Sequence, residues 1–115
     1  MKENVIMEKS FAFSVRIVNL RNYLIQEKKE FQISNQINKS GTSIGANVAE
    51  AQQAQSRPDF VSKLNIALKE AVETSYWLRL LHATDYLTKT EYDSIYADCQ
   101  ELEKLLTAII KTTKE

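Results

Sequence analysis

Thr88-Lys-Thr-Glu91-Tyr92-Asp-Ser-Ile95-Tyr-Ala-Asp-Cys99-Gln-Glu-Leu102-Glu-Lys-Leu-Leu106-Thr-Ala-Ile109 places Tyr92, Ile95, Cys99, Leu102, Leu106 and Ile109 at strict three-four spacing. That spacing returns to one face of a helix, and polar residues fill the positions between. Thr88 with Glu91 three residues on is a capping pair, in which hydroxyl and carboxylate each accept an otherwise orphaned backbone N–H. The stretch predicts a helix over about 89–112. It is far too long and too regular for a strand.

The same period recurs upstream. Ser56-Arg57-Pro58-Asp59 offers a cap, a proline in the first turn where its missing N–H costs nothing, and a capping-box carboxylate. Phe60, Leu64, Ala67, Ala71 and Leu78 follow as a core stripe, with Val61, Leu68 and Val72 on a narrower one, so a helix is predicted over about 57–83. Before it, Ile37, Gly41, Ile44, Val48 and Ala51 step by four, three, four and three residues, with Ser34 placed to cap a helix over about 34–55. Gly41 and Gly45 inside this helix each cost roughly 1 kcal/mol relative to alanine, which points to a close helix crossing there. The first segment, about 6–26, has two apolar stripes: Phe13, Ile17, Leu20 and Leu24, and nearly opposite them Phe11, Val15, Val18 and Ile25. A surface helix of a monomer needs one apolar face, so the second stripe implies either burial between several neighbours or contact with another subunit, and oligomerisation is the better explanation. Four amphipathic helices with short connections pack most simply as an antiparallel, up-down-up-down four-helix bundle. We read residues 1–115 as one such all-α domain.

With 2 Gly and 1 Pro among 115 residues, a sheet-rich fold is disfavoured. No long apolar run or signal-like N-terminus is present, and the single cysteine, Cys99, has no partner for an internal disulfide. A cytoplasmic protein without a membrane role is expected. Formal net charge is zero, yet Lys9, Arg16, Arg21, Lys28 and Lys29 face only Glu27 in the 9–29 region, whereas 88–115 carries four lysines against six acids. Complementary charge between neighbouring helices is one explanation; a binding surface is the other.

Gly41-Thr-Ser-Ile-Gly-Ala-Asn47-Val-Ala-Glu50, then Ser56-Arg-Pro-Asp59-Phe60 and Leu64-Asn-Ile-Ala-Leu-Lys-Glu70-Ala, resembles a bacterial four-helix-bundle family. Its first members are encoded in intervening sequences of 23S ribosomal RNA genes. The resemblance runs over essentially the whole chain, including Lys9-Ser10-Phe11-Ala12, Tyr76-Trp77-Leu78 and Asp85-Tyr86-Leu87. It implies a homopentameric ring. A related branch includes the accessory protein of diversity-generating retroelements, a basic pentamer that binds RNA and a reverse transcriptase. The zero net charge here departs from that basic branch.

For chemistry the sequence offers little: one histidine, one cysteine and no glycine-rich phosphate loop. His82 lacks a second His or a Cys for a metal site, Cys99 falls in an apolar seam, and Glu50, Glu70 and Glu73 lack the Glu-x-x-His pairs of a bundle dimetal centre. No catalytic residue, metal or cofactor is assigned. Two sets of residues remain. Arg16, Arg21, Lys28, Lys29 and Lys39 are candidate phosphate contacts to RNA or a nucleoprotein, multiplied by a ring into an avid surface. Ser40, Ser43, Asn47 and Glu50 form a polar stripe beside the core which, with Asp59, either fixes helix or subunit register or lines a partner groove. The expected function is a non-catalytic homo-oligomeric scaffold, RNA-associated, with a protein-protein adaptor that has no nucleic-acid role as the alternative.

Overall fold

The computed structural model describes residues 4–114 and contains α1 (Val5–Gln26), α2 (Ile33–Ala51), α3 (Arg57–Ala83) and α4 (Lys89–Lys114), with no strand among them. The chain is an all-α four-helix bundle of 44 × 24 × 20 Å, its long axis close to the ~40 Å of a 27-residue helix. Packing runs from α1 to α2 to α3 to α4, and α1 meets α4 more sparsely. Between the diagonal pairs, α1 with α3 and α2 with α4, no Cα atoms come within 8 Å.

Each start has a chemical cause. Asn4 caps α1 by accepting the Met7 N–H at 3.2 Å, and its amide bonds Gln52 Oε1 at 2.8 Å, tying the beginning of α1 to the end of α2. Ser56 accepts from the Asp59 N–H, Asp59 accepts from the Gln55 N–H, and Thr88 and Glu91 cap one another at 2.8 and 3.2 Å. The start of α2 differs from the sequence reading. Ser34 lies inside the first turn, and its buried hydroxyl has no partner. The buried carboxylate of Glu30 does the capping instead, accepting the N–H groups of Gln32, Ile33 and Ser34 at 3.1, 2.9 and 2.7 Å. Three orphan donors share one anion at the positive end of the helix, so no hydroxyl cap is needed. Lys29, with φ 55°, makes the left-handed turn that brings Glu30 back. At its other end α2 stops at Ala51 and not near residue 55. Residues 52–54 tighten into i→i−3 bonds, and Ser56 is extended to cap α3.

Phe13, Ile17, Leu24, Ile37, Ile44, Val48, Leu64, Leu78, Leu81, Leu102 and Leu106 fill the core at 2% exposure or less. Each large apolar side chain of this kind contributes about 1.5–3 kcal/mol of burial free energy. The α4 seam follows Ile95, Cys99, Leu102 and Leu106 as expected, then shifts from Ile109 to Ile110 because a straight helix drifts off a strict seven-residue repeat. At the α1–α2 crossing a Cβ on Gly41 would sit 2.7–3.0 Å from the Ile17 side chain, and one on Gly45 would lie 3.1 Å from the Ser10 carbonyl oxygen. Both glycines stand where the helices approach closely.

Candidate nucleic-acid interface

The turn between α1 and α2 gathers most of the predicted basic set. Arg21 lies in the last turns of α1, Lys28 and Lys29 in the connection, and Lys39 on the second turn of α2. Lys28 Nζ lies 5.9 Å from the centroid of the Tyr23 ring, and Lys29 donates to the Gln26 carbonyl at 2.9 Å. Arg21 is half-buried; one Nη donates to Asn22 Oδ1 at 3.3 Å, while Nε is buried without a partner. Among the described residues none of these four has a carboxylate oxygen within 4.0 Å, since the ion pairs of the fold use other cations. Glu27 is the exposed acid beside them, and the Glu30 carboxylate is held by backbone N–H groups.

Arg16 stands apart from this group. Its guanidinium donates to Asp98 at 2.7 Å and to the Ser94 hydroxyl at 3.1 Å, which fastens α1 to α4, and Lys9 pairs with Glu101 at 3.2 Å in the same seam. The basic first helix and the acidic fourth thus meet in part as complementary neighbours. Between Arg16, Leu20, Tyr23, Leu87 and Ile95 this seam leaves an open groove of about 420 Å³.

The polar stripe of α2 turns most of its hydrogen-bonding capacity inward. Ser43 and Asn47 bond back to the carbonyls of Lys39 and Ser43 at 2.7 and 2.9 Å. Ser40 is buried, its hydroxyl 2.9 Å from that of Thr74; since Thr74 also lies 2.8 Å from the Glu70 carbonyl and has one proton to give, Ser40 donates when Thr74 bonds Glu70. Glu50 reaches Lys63 at 3.3 Å, a link from α2 to α3. Asp59 serves the start of α3.

A second polar cluster, between α3 and α4, was not signalled by spacing. Ser75 bonds Glu103 at 2.5 Å, and Gln100 donates to both Ser75 and Glu103 at 3.0 Å. Cys99 Sγ lies 3.3 Å from Ser75 Oγ and 3.4 Å from the Ala71 carbonyl. Burial pushes the Cys99 thiol up to about 12, with Glu103 and Asp98 adding to the rise against the Ser75 hydrogen bond. At neutral pH the group is a thiol and a weak nucleophile. His82 stacks on Tyr92 with centroids 4.4 Å apart, and Trp77 donates to Glu73 at 3.0 Å. Among the described residues no three His, Cys, Asp or Glu side chains converge as metal ligands, and no helix is long and apolar enough to cross a membrane.

Comparison with known proteins bears on the whole chain. No curated protein matches it. A crystal structure of a protein of unknown function from the S23 ribosomal protein family of Bacteroides thetaiotaomicron is 61% identical. It superposes with a TM-score of 0.93, covering 96% of this chain and 99% of that one. The family model for the 23S rRNA-intervening sequence protein matches residues 2–108, and with this the chain belongs to the 23S rRNA-intervening sequence protein family.

Proposed function

We propose that this protein is a cytoplasmic, non-catalytic scaffold, an up-down-up-down bundle assembled as a homopentameric ring that associates with RNA. The order of contacts supports the alternating directions. Along α1 from Lys9 to Arg16 the partners on α4 fall from Glu101 to Asp98, and along α2 from Ser40 to Glu50 the partners on α3 fall from Thr74 to Lys63. Assembly is supported by the exposed apolar stripe of α1, where Phe11 is 71% exposed.

RNA association rests on the Arg21, Lys28, Lys29 and Lys39 group, which has no carboxylate partner among the described residues and would be repeated around a ring. Individually weak phosphate contacts gain strength when several copies engage one strand. The measurement is binding of a structured RNA at low and at raised salt, for the native chain and for a Lys28→Glu, Lys29→Glu, Lys39→Glu variant. Binding that weakens with salt and falls at least tenfold in the variant supports the reading; no binding at low salt removes it. The zero net charge favours a second reading, a protein-binding adaptor. Its signature is a specific protein retained by the purified ring after nuclease treatment.

A further inference from the structure

Phe31 is an exposed aromatic that belongs to no helix face. Among the described residues every other exposed large apolar side chain lies on α1 or α3, along the length of the bundle, whereas Phe31 sits in the α1–α2 connection at 55% exposure. Its neighbours hold the backbone on both sides. The Glu30 N–H donates to the Leu24 carbonyl at 2.9 Å, the buried Glu30 carboxylate gathers the N–H groups of Gln32, Ile33 and Ser34, and Ile33 packs against the core. Asn35 closes the turn by donating its side-chain amide to the Phe31 carbonyl at 3.0 Å. An aromatic ring is therefore presented to solvent from a pre-ordered turn, which lowers the entropy cost of binding.

The surroundings define the partner. Lys28 and Lys29 precede Phe31 by three and two residues, within about 11 Å of it along even a fully extended backbone. Their ammonium groups rest near the Tyr23 ring and on the Gln26 carbonyl, and neither has a carboxylate partner among the described residues. An ammonium carries three N–H donors, so both lysines keep donors for a phosphate. Gln32, Asn35 and Gln36 are exposed amides at the start of α2. A ring flanked by cations and amides matches an unpaired nucleotide: the base stacks on the aromatic, the phosphate meets the lysines and the base edge bonds an amide. A duplex offers this turn its phosphates but keeps its bases stacked inside. A lipid surface suits Phe31 and the lysines but not the amides, since insertion calls for a broad apolar face.

We propose that the α1–α2 turn binds unpaired RNA, with Phe31 stacking on a base while Lys28 and Lys29 hold the adjoining phosphates. This rests on the RNA reading above and narrows its substrate to strands with free bases. Subunits set side by side in a ring meet along their helices, which leaves this turn open at one end of every bundle.

The test uses the full chain with fluorescein-labelled oligoadenylate, alone or annealed to oligouridylate, and reads binding by anisotropy at low salt. One stacked base contributes a factor of about 5–150, so Phe31→Ala is expected to weaken single-strand binding at least about fivefold and duplex binding less than about twofold. Phe31→Leu keeps the apolar bulk without the flat π face and is expected to match Phe31→Ala, whereas Phe31→Trp is expected to retain binding. Should Phe31→Ala fail to fold by circular dichroism, Phe31→Leu carries the comparison. Equal losses on strand and duplex, no loss on either, or native-like binding by Phe31→Leu overturns the stacking while leaving salt-dependent RNA association in place. A native chain that binds neither probe overturns both readings. Phe31-dependent binding to vesicles of phosphatidylserine and phosphatidylcholine, with no preference for single strand over duplex, overturns the proposal in favour of a lipid surface.

Discussion

Helix α1 carries two apolar stripes in opposite circumstances. Phe13, Ile17 and Leu24 are at 2% exposure or less against α2 and the rest of the core, while Phe11, Val15 and Val18 stand 41–71% exposed. The residue types are the same; the neighbours differ. Periodicity reports that a face is built to be covered, and only the tertiary arrangement tells whether the cover comes from the same chain. The inner stripe belongs to the stability of each subunit, and the outer one, if copies pair as proposed, to the stability of the assembly.

Truncation should separate the two. Phe13→Ala is expected to cost about 3–5 kcal/mol in denaturant unfolding at any protein concentration, because it opens a cavity in a packed core. Phe11→Ala should lower stability only where subunits are associated, so that its penalty shrinks on dilution. A concentration-independent loss of several kcal/mol for Phe11→Ala would erase the distinction.

The inner face also depends on how α2 is set against α1. Glu30→Ala leaves three N–H groups at the start of α2 without their acceptor, and about 2–3 kcal/mol should be lost, with Glu30→Gln milder. Gly41→Ala gains helix propensity but drives a Cβ into the β-branched, fully buried Ile17. We expect a net cost of about 1–3 kcal/mol. In an Ile17→Ala background the same substitution should be neutral or favourable, a non-additivity that a double-mutant cycle measures directly. At the other edge of α1, Arg16→Ala removes a half-exposed pair with Asp98, and unfolding should show a loss below about 1 kcal/mol.

Much of this organisation was legible in the sequence. Four helices, the capping pairs Ser56–Asp59 and Thr88–Glu91, the tight crossing at Gly41 and the second stripe of α1 all follow from local spacing and residue chemistry. What escaped was non-local or irregular. Glu30 caps α2 from outside the helix through a left-handed Lys29, a conformation that a lysine does not advertise. Val72 and Tyr76 read as flank and family segment, and only the packing of α3 turned them outward. Among the candidate site residues, charge alone could not separate Arg16, paired across the α1–α4 seam, from Lys28, Lys29 and Lys39 at the α1–α2 turn. The Ser75–Cys99–Gln100–Glu103 cluster joins two helices through residues 24–28 positions apart, beyond the reach of any sequence window.

Whether the outer stripe of α1 is a subunit interface is decided most directly by the solution mass of the native chain, taken by light scattering on a size-exclusion peak. The expected result is one species at five times the 13.2 kDa chain mass. A single species at 13.2 kDa across micromolar concentrations would contradict it, leaving Phe11, Val15 and Val18 as solvent-facing residues of a monomeric bundle.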